Sequence, residues 1–445
     1  METILTGQRN MQIPAGREIP DWLKLDNTAI IFPFTMSKNY ASMFRISVTL
    51  REEIDPAILE DALKITLKRI PSFGCKLKHG LFWHYFDRTD HIPPIREDVR
   101  NPLTNMDWKD NRDFLFRVRY YRCRISLEVF HALADGTGAL IFLLTLAAAY
   151  LKLACGYSYE PSLWVLNPFA WPQKSEYENA YLRCPVTKGR LKAGEQAYHL
   201  NGTKENRRLL SIITGRIPVD KIREAAAKYD CTVTAFLTAV MLYALQEAQE
   251  AAHPPMKKLR PAVVTLPVNL RRFYPSHTLR NFFACVDVGI DPKLGHYSFE
   301  EIVSRVKHSM ALKITEKELN SVITVHANLA KNRFLRGIPL FLKRPFLQLG
   351  SRIFGDRSSS TTLSNLGNFV LPPNLSEHIT AIDCVNGRHQ RKTSTCVCVS
   401  YGGVLSVSFS RKIREAELER RFFTALVRMR IPVRIESNQD TEEES

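Results

Sequence analysis

The chain has no unbroken apolar run of the roughly 18 to 20 residues that a helix needs to cross a bilayer. Its most apolar uncharged run, Gly136–Leu151 (GTGALIFLLTLAAAYL), has sixteen residues and reads as a buried helix. The opening METILTGQRNMQIPAGREIPDW holds no apolar segment of signal-peptide length, so no secretory signal is expected. CxxC pairs and His-rich tracts are missing. The nine cysteines (Cys75, Cys123, Cys155, Cys184, Cys231, Cys285, Cys384, Cys396 and Cys398) are odd in number and scattered, which argues against a disulfide framework or a structural zinc site. Cys396 and Cys398 fall on one face of an expected strand, where packing accounts for them. A reducing cytoplasm suits this pattern. Also lacking are a GxSxG nucleophile elbow, a GxxxxGK[ST] phosphate loop and a GxGxxG dinucleotide turn. With 20 Gly, 24 Pro and 45% apolar residues in 445, neither disorder nor collagen-like order fits, and two folded domains are expected.

What is abundant is positive charge: 62 Lys and Arg against 45 Asp and Glu, net +17. The last eleven residues hold five acids (Glu436, Asp440, Glu442, Glu443, Glu444) and no base, so the body of the chain carries +22. Such a body fits a polyanionic partner: nucleic acid, an anionic membrane surface, a phosphate-bearing co-substrate or an acidic protein. Nucleic acid is the weakest of these, because the bases are spread along the chain and no helix-turn-helix, zinc-finger or RNP pattern marks a reader. The stretch Lys331–Arg357 holds seven bases and one acid among Leu, Ile and Phe, a composition for either peripheral membrane contact or two ordinary helices broken at Pro339 and Pro345.

Two halves share one grammar. In the first, Met43–Leu50 alternates as a strand, Asp55-Pro56 caps an amphipathic helix that Pro71 stops, and strands over Phe114–Arg122 and Arg124–Phe130 run into HALADGTG and a long apolar helix. In the second, a strand over Leu209–Ile217 precedes a helix over Val219–Tyr229 and an apolar helix over Cys231–Gln249, capped by Thr232 or Thr234. Strands over Ala262–Leu266 and Phe282–Ile290 follow, then a helix opened by the capping box Ser298/Glu301. A hairpin turns at Gly402-Gly403 between Cys396–Tyr401 and Val404–Ser410, and Glu415–Met429 forms a last helix. The expected organisation is an N-terminal extension (1–20), a first α+β subdomain (21–166), an aperiodic crossing (167–206), a second subdomain (207–434) and a disordered acidic tail (435–445), the halves forming an internal pseudo-dimer.

The sharpest local feature is Phe130-His131-Ala132-Leu133-Ala134-Asp135-Gly136. A histidine at a strand end, on a small-residue loop entering a helix, can offer one imidazole nitrogen to a cleft, and its ordinary pKa suits general-base work near neutrality. The alternative is a satisfied histidine beside a helix-capping Asp135. Three further stretches bear on this choice: Pro267-Val268-Asn269-Leu270-Arg271-Arg272-Phe273, followed by His277 and Arg280-Asn281-Phe282-Phe283; Thr361–Gly367, with hydroxyl and amide groups at a strand end; and the buried-helix pattern Phe236–Leu245.

In this order and at these separations, with Arg69-Ile70-Pro71 and Phe82-Trp83 upstream, the chain resembles the HxxxD acyltransferase superfamily. That superfamily contains chloramphenicol acetyltransferases, condensation domains, plant HxxxD acyltransferases and microbial alcohol acetyltransferases. The bacterial alcohol acetyltransferases look most similar, over Asp21 to about Arg430. The resemblance implies two chloramphenicol-acetyltransferase-like αβ sandwich domains with an active-site tunnel between them. It implies His131 as general base, Asp135 turned away from substrate and paired with an arginine, for which Arg271 is the candidate, and Gly136 leaving room for the acyl group. Ser364 and Asn365, with Asn269, become candidates for the oxyanion and acyl-donor contacts. Phe130 stands where condensation domains and chloramphenicol acetyltransferases carry a first histidine, and the plant DFGWG loop has no counterpart.

The implied chemistry is direct transfer of an acyl group, acetyl by expectation, from a coenzyme A thioester to a hydroxyl or amine acceptor, with no metal and no permanently bound cofactor. A carrier-protein thioester donor and a catalytically silent membrane-surface protein are the alternatives. A monomer is expected.

Overall fold

The computed structural model describes residues 20–439 apart from 37–41, 105, 107, 159, 161, 188, 190–193, 207–208, 332–336, 344, 346–356 and 390–391. The N-terminal extension up to residue 19, the acidic tail from Asp440 onward and most of Lys331–Arg357 lie outside the described residues.

The architecture is α+β, with three sheets among the described residues. A five-stranded sheet runs β12 (Ile379–Asn386), β2 (Met43–Leu50), β7 (Arg124–Phe130), β6 (Phe116–Tyr121), β5 (Arg96–Glu97). A seven-stranded sheet runs β10 (Phe283–Ile290), β9 (Ala262–Asn269), β11 (Thr361–Asn368), β13 (Ser394–Tyr401), β14 (Val404–Arg411), β8 (Ser211–Pro218), β15 (Arg434–Ser437). A small sheet joins β1 (Trp22–Lys24), β4 (His84–Arg88) and β3 (Cys75–His79).

Several of the main helices begin where side-chain caps satisfy free N–H groups. Helix α1 (Pro56–Arg69) starts at Asp55, which accepts from Ala57 and Ile58 N–H, with Pro56 in the first turn. Helix α2 (Gly136–Cys155) is capped by Asp135 and closed by Gly156 at φ +74°, a left-handed conformation that suits glycine. Its residues from Gly138 to Leu151 are all buried in the first core, so its apolar length serves packing. Helices α3 (Val219–Lys228) and α4 (Val233–Ala251, capped by Thr232) cover the large sheet together with α5 (Phe299–Lys313), opened by a Ser298/Glu301 capping box, and α7 (Glu417–Arg428); α6 (Glu316–Lys331) follows α5. The Gly402-Gly403 turn between β13 and β14 holds both glycines at positive φ.

Three features depart from the sequence reading. The tail set as disordered over 435–445 begins ordered: β15 pairs with β8, and Glu436 takes an ion pair from Arg216 at 3.0 Å. The second half, drawn as 207–434, does not stay in its own sheet: β12 leaves it and pairs antiparallel with β2 as the edge strand of the first sheet. The reason is visible in its residues: Ile379, Ile382 and Cys384 are buried in the first core, and Asp383 takes a bidentate ion pair from Arg216 of β8, linking the sheets. The crossing at 167–206, aperiodic in sequence, contains a short helix at Lys174–Tyr177 whose Glu176 receives both terminal nitrogens of buried Arg69, at 2.6 and 2.7 Å. Arg69 thus ties the end of α1 to the crossing, and Glu176 carbonyl accepts from Leu279 N–H at 2.7 Å.

The halves also meet at Gly138, where a Cβ would stand 1.9 Å from the Leu279 carbonyl oxygen. Both groups belong to backbone held on each side, so neither can step aside. Gly138→Ala is expected to cost at least about 1–3 kcal/mol, the range for overpacking a well-filled interior, read as a lower midpoint in chemical denaturation.

Candidate active site

His131 is the first residue beyond β7. Its N–H donates to Ser42 carbonyl at 2.8 Å, extending the β2–β7 ladder one step, and Leu133 N–H turns back to Phe130 carbonyl at 2.9 Å. The imidazole is half-buried among aromatic rings: Phe32 stacks on it at 4.7 Å between centroids, Phe44 lies at 5.0 Å and Phe283 at 5.5 Å. Burial among them lowers its pKa below the ordinary 6.5. The opposing pulls are a hydrogen bond to its own backbone, the charge of Asp135 and a hydrogen bond with Asn281, and burial outweighs them. The ring is therefore neutral at pH 7. Nδ1 is 3.1 Å from Asn281 Oδ1, and Nε2 has no hydrogen-bond partner among the described residues.

Asp135 is saturated with donors. Its Oδ1 accepts from Gly138 N–H at 2.9 Å, and its Oδ2 from Phe282 N–H at 2.9 Å and Arg271 Nη1 at 2.8 Å. Arg271 Nη2 adds a longer contact at 3.3 Å to Oδ1. The remaining guanidinium donors meet Thr278 and Arg280 carbonyls at 2.8–3.1 Å and Asn269 Oδ1 at 3.3 Å. A helix cap from the first half and a strand-end arginine from the second are thereby clamped, with side chains only 8% and 12% exposed.

The other candidates divide. Asn269, at the end of β9, caps the short turn Leu270–Arg272 and accepts from Arg271 N–H at 3.0 Å, while its Nδ2 donates to Thr137 Oγ1 at 3.2 Å. Both ends of that amide are occupied in holding Arg271 and the start of α2. Ser364 and Asn365 are not on a turn at a strand end but inside β11, where the register slips between Asn365 and Asn368 and Gly367 takes φ +97°. Asn365 Oδ1 accepts from Gly367 N–H at 2.9 Å and its Nδ2 donates to Thr234 Oγ1 at 3.0 Å, so it fixes the bulge. Ser364 is half-buried, and its hydroxyl has no hydrogen-bond partner among the described residues. This strand abuts the His131 loop, since a Cβ on Gly136 would come within 2.6 Å of Leu366 Cδ2. Lys392 Nζ, 2.6 Å from Thr362 Oγ1, puts a cation on the same face of β11 as Ser364.

Cys285 lies two residues beyond Phe283 on the same face of β10 and is solvent-exposed. Among the described residues no group of three or more His, Cys, Asp or Glu could hold a metal ion.

Three supporting residues carry no motif in the sequence. Asp26, fully buried, accepts from Thr28 and Ala29 N–H and from Asn281 Nδ2. Tyr181, from the crossing, donates to Phe283 carbonyl at 2.7 Å, and its oxygen lies 3.0 Å from Phe283 N–H. Arg280 reaches Lys24 carbonyl and lies 3.7 Å from Asp26. A polar Arg280-Asn281 pair directly before an apolar strand was their one visible trace.

The fold is that of condensation domains and trichothecene acetyltransferases. Polyketide synthase associated protein 5 from Mycobacterium tuberculosis aligns at 16% identity over 92% of this chain and 98% of that one, TM-score 0.59. The first condensation domain of the calcium-dependent antibiotic synthetase aligns at 14% over 92% and 96%, TM-score 0.59. Fusarium graminearum TRI101, solved with coenzyme A and T-2 mycotoxin, aligns at 10% over 94% and 100%, TM-score 0.58. The model of the alcohol acetyltransferase family matches residues 159–300, a stretch that holds Asn269, Arg271 and Asn281 and begins after His131 and Asp135. No curated protein matches the chain. The superfamily resemblance read from the motifs thus meets both a matching fold and an alcohol acetyltransferase region.

Proposed function

We propose that the protein is an acyltransferase of the alcohol acetyltransferase type, moving an acyl group, acetyl in the simplest case, from a coenzyme A thioester to a hydroxyl acceptor. The observation that carries this reading is the His131 imidazole: neutral at pH 7, engaged at Nδ1 and without a partner at Nε2 among the described residues. In this reading Nε2 takes the acceptor's hydroxyl proton as the alkoxide oxygen attacks the thioester carbonyl. A donor group then holds the tetrahedral oxyanion, and collapse breaks the carbon–sulfur bond, the thiolate leaving with the proton that His131 returns. No covalent enzyme intermediate is needed. The crystallisation of TRI101 with coenzyme A and a small-molecule acceptor on the same fold supports both substrate classes.

Of the donor candidates, Ser364 alone keeps a hydroxyl uncommitted, whereas Asn269 and Asn365 spend their amides on local structure. Ser364→Ala is expected to lower kcat by about 10²-fold with KM little changed, as for loss of one oxyanion donor, in a steady-state assay of thiol release. The surplus charge of the body would meet the coenzyme A phosphates.

The test is free-thiol release from acetyl-CoA against a panel of alcohols, amines and sugars. Release that requires one acceptor class supports the reading. Silence with every coenzyme A ester, together with turnover of an acyl carrier-protein thioester, would replace the donor and keep the reaction.

A further inference from the structure

We infer that Asn281, oriented by Asp26, is the positioning residue that sets the tautomer of His131. The inference deepens the proposed reaction and rests on it only for its kinetic consequence. Asn281 is fully buried, and its amide can sit in either of two orientations that differ by exchanging oxygen and nitrogen. The surroundings select one. On the nitrogen side lie two acceptors, Asp26 Oδ2 at 3.3 Å and Ala132 carbonyl at 3.3 Å. The Ala132 carbonyl accepts whatever the protonation state of Asp26, and Asp26 is itself pinned by Thr28 N–H at 3.1 Å and Ala29 N–H at 2.7 Å. An NH2 group must therefore face that side, and the oxygen must face His131 Nδ1 at 3.1 Å.

An oxygen facing a ring nitrogen is satisfied only if that nitrogen carries the hydrogen. The Nδ1–H form leaves the lone pair on Nε2, the nitrogen without a partner, where an acceptor hydroxyl can reach it. Free histidine side chains favour the opposite, Nε2–H form, so the protein has to supply the bias. The hydrogen bond of the ring to its own backbone contributes to it, and Asn281 adds an acceptor that cannot rotate away. When His131 takes the substrate proton, the same oxygen faces the Nδ1–H of the imidazolium and strengthens that bond. A carboxylate, an amide and an imidazole thus stand in line, contributed by the small-sheet lobe, the start of β10 and the end of β7, over separations of 255 and 150 residues.

The test labels histidine with ¹⁵N in the full chain and reads the two ring nitrogens at pH 8, the His131 signals being assigned by their loss in His131→Gln. The wild type should show a protonated Nδ1 and an unprotonated Nε2. Asn281→Leu removes the acceptor and should shift the population toward Nε2–H. Asp26→Asn takes one of the two acceptors from the Asn281 NH2 and leaves the Ala132 carbonyl, so it should shift the tautomer in the same direction by less, without touching His131. In Asn281→Leu kcat should fall by about 10- to 100-fold with KM within about threefold, the scale of one hydrogen bond to a charged group. A wild type in the Nε2–H form, or an Asn281→Leu variant whose tautomer stays at Nδ1–H, would overturn the inference. The wild-type spectrum in the Nε2–H form overturns it even if the variant does not fold. It is also independent of turnover: a protein with the stated tautomer and no thiol release would sink the proposed reaction while leaving the positioning role standing.

Discussion

His131→Ala is expected to lower acceptor-dependent thiol release by about 10²–10⁴-fold, the range contributed by a positioned general base, with the folded state retained. Retention follows from where the side chain sits. It ends a strand rather than filling a core, it is half-buried, and the ladder bond to Ser42 belongs to the backbone and survives the substitution. Circular dichroism should therefore match the wild type while the rate collapses. A variant with full turnover would remove His131 from the chemistry.

The pH dependence has a definite sign. Burial holds the folded-state pKa of His131 below 6.5, so the basic form is already present at neutral pH and activity should be level from there upward. Rate should decline on acidification, with a midpoint under 6.5. Stability follows the same group through linkage. Between the lowered folded pKa and the unfolded 6.5 the unfolded chain binds more protons, so this contribution is complete above 6.5 and is lost as the pH falls through that window. His131→Ala should flatten that part of the acid limb when denaturation midpoints are compared across pH.

How much of this was legible in the sequence varies with the range of the interaction. Signals confined to a few residues read directly: Asp55-Pro56, Ser298 with Glu301, Thr232, the paired glycines at 402 and 403, and the alternation of Met43–Leu50 all stand where local chemistry puts them. The HxxxDG spacing also reads locally, because the strand end, the cap and the helix start are contiguous. What connects the site does not. Asp26 meets Asn281 across 255 residues and Asn281 meets His131 across 150, and no periodicity records which buried amide will face which imidazole. Strand β12 has an ordinary alternating pattern, and only its partner β2 reveals that it belongs to the other half. The crossing segment looked like linker because its order comes from single long-range contacts, Glu176 with Arg69 and Tyr181 with Phe283, rather than from a repeating face. Asn365 and Asn269 drew notice as donors for chemistry, yet polar groups at strand ends also serve the backbone, and here the backbone takes them.

Arg271→Met should be the most destabilising change at the site, costing about 3–5 kcal/mol, the range for removing one partner of a buried ion pair. The size follows from what stays behind. Asp135 would keep the Gly138 and Phe282 N–H groups but lose its cation in a place where its side chain is 8% exposed, and Thr278 and Arg280 carbonyls would lose their donor. Asp135→Asn is the informative companion. Asparagine is as good a helix cap as aspartate and can still accept from Gly138 or Phe282, so it removes charge while keeping shape, and it should cost less than the arginine change. It should lower stability and activity together, since the same carboxylate anchors the α2 start and the β10 start on either side of His131. Chemical denaturation of the two single variants and the double variant gives the coupling, expected in the range of about 0.5–3 kcal/mol for residues in direct contact. Asp135→Asn melting with the wild type while losing rate alone would move Asp135 from the clamp into the chemistry. Zero coupling would mean that Arg271 acts through the Thr278 and Arg280 carbonyls, holding the β9–β10 connection rather than the joint between the halves.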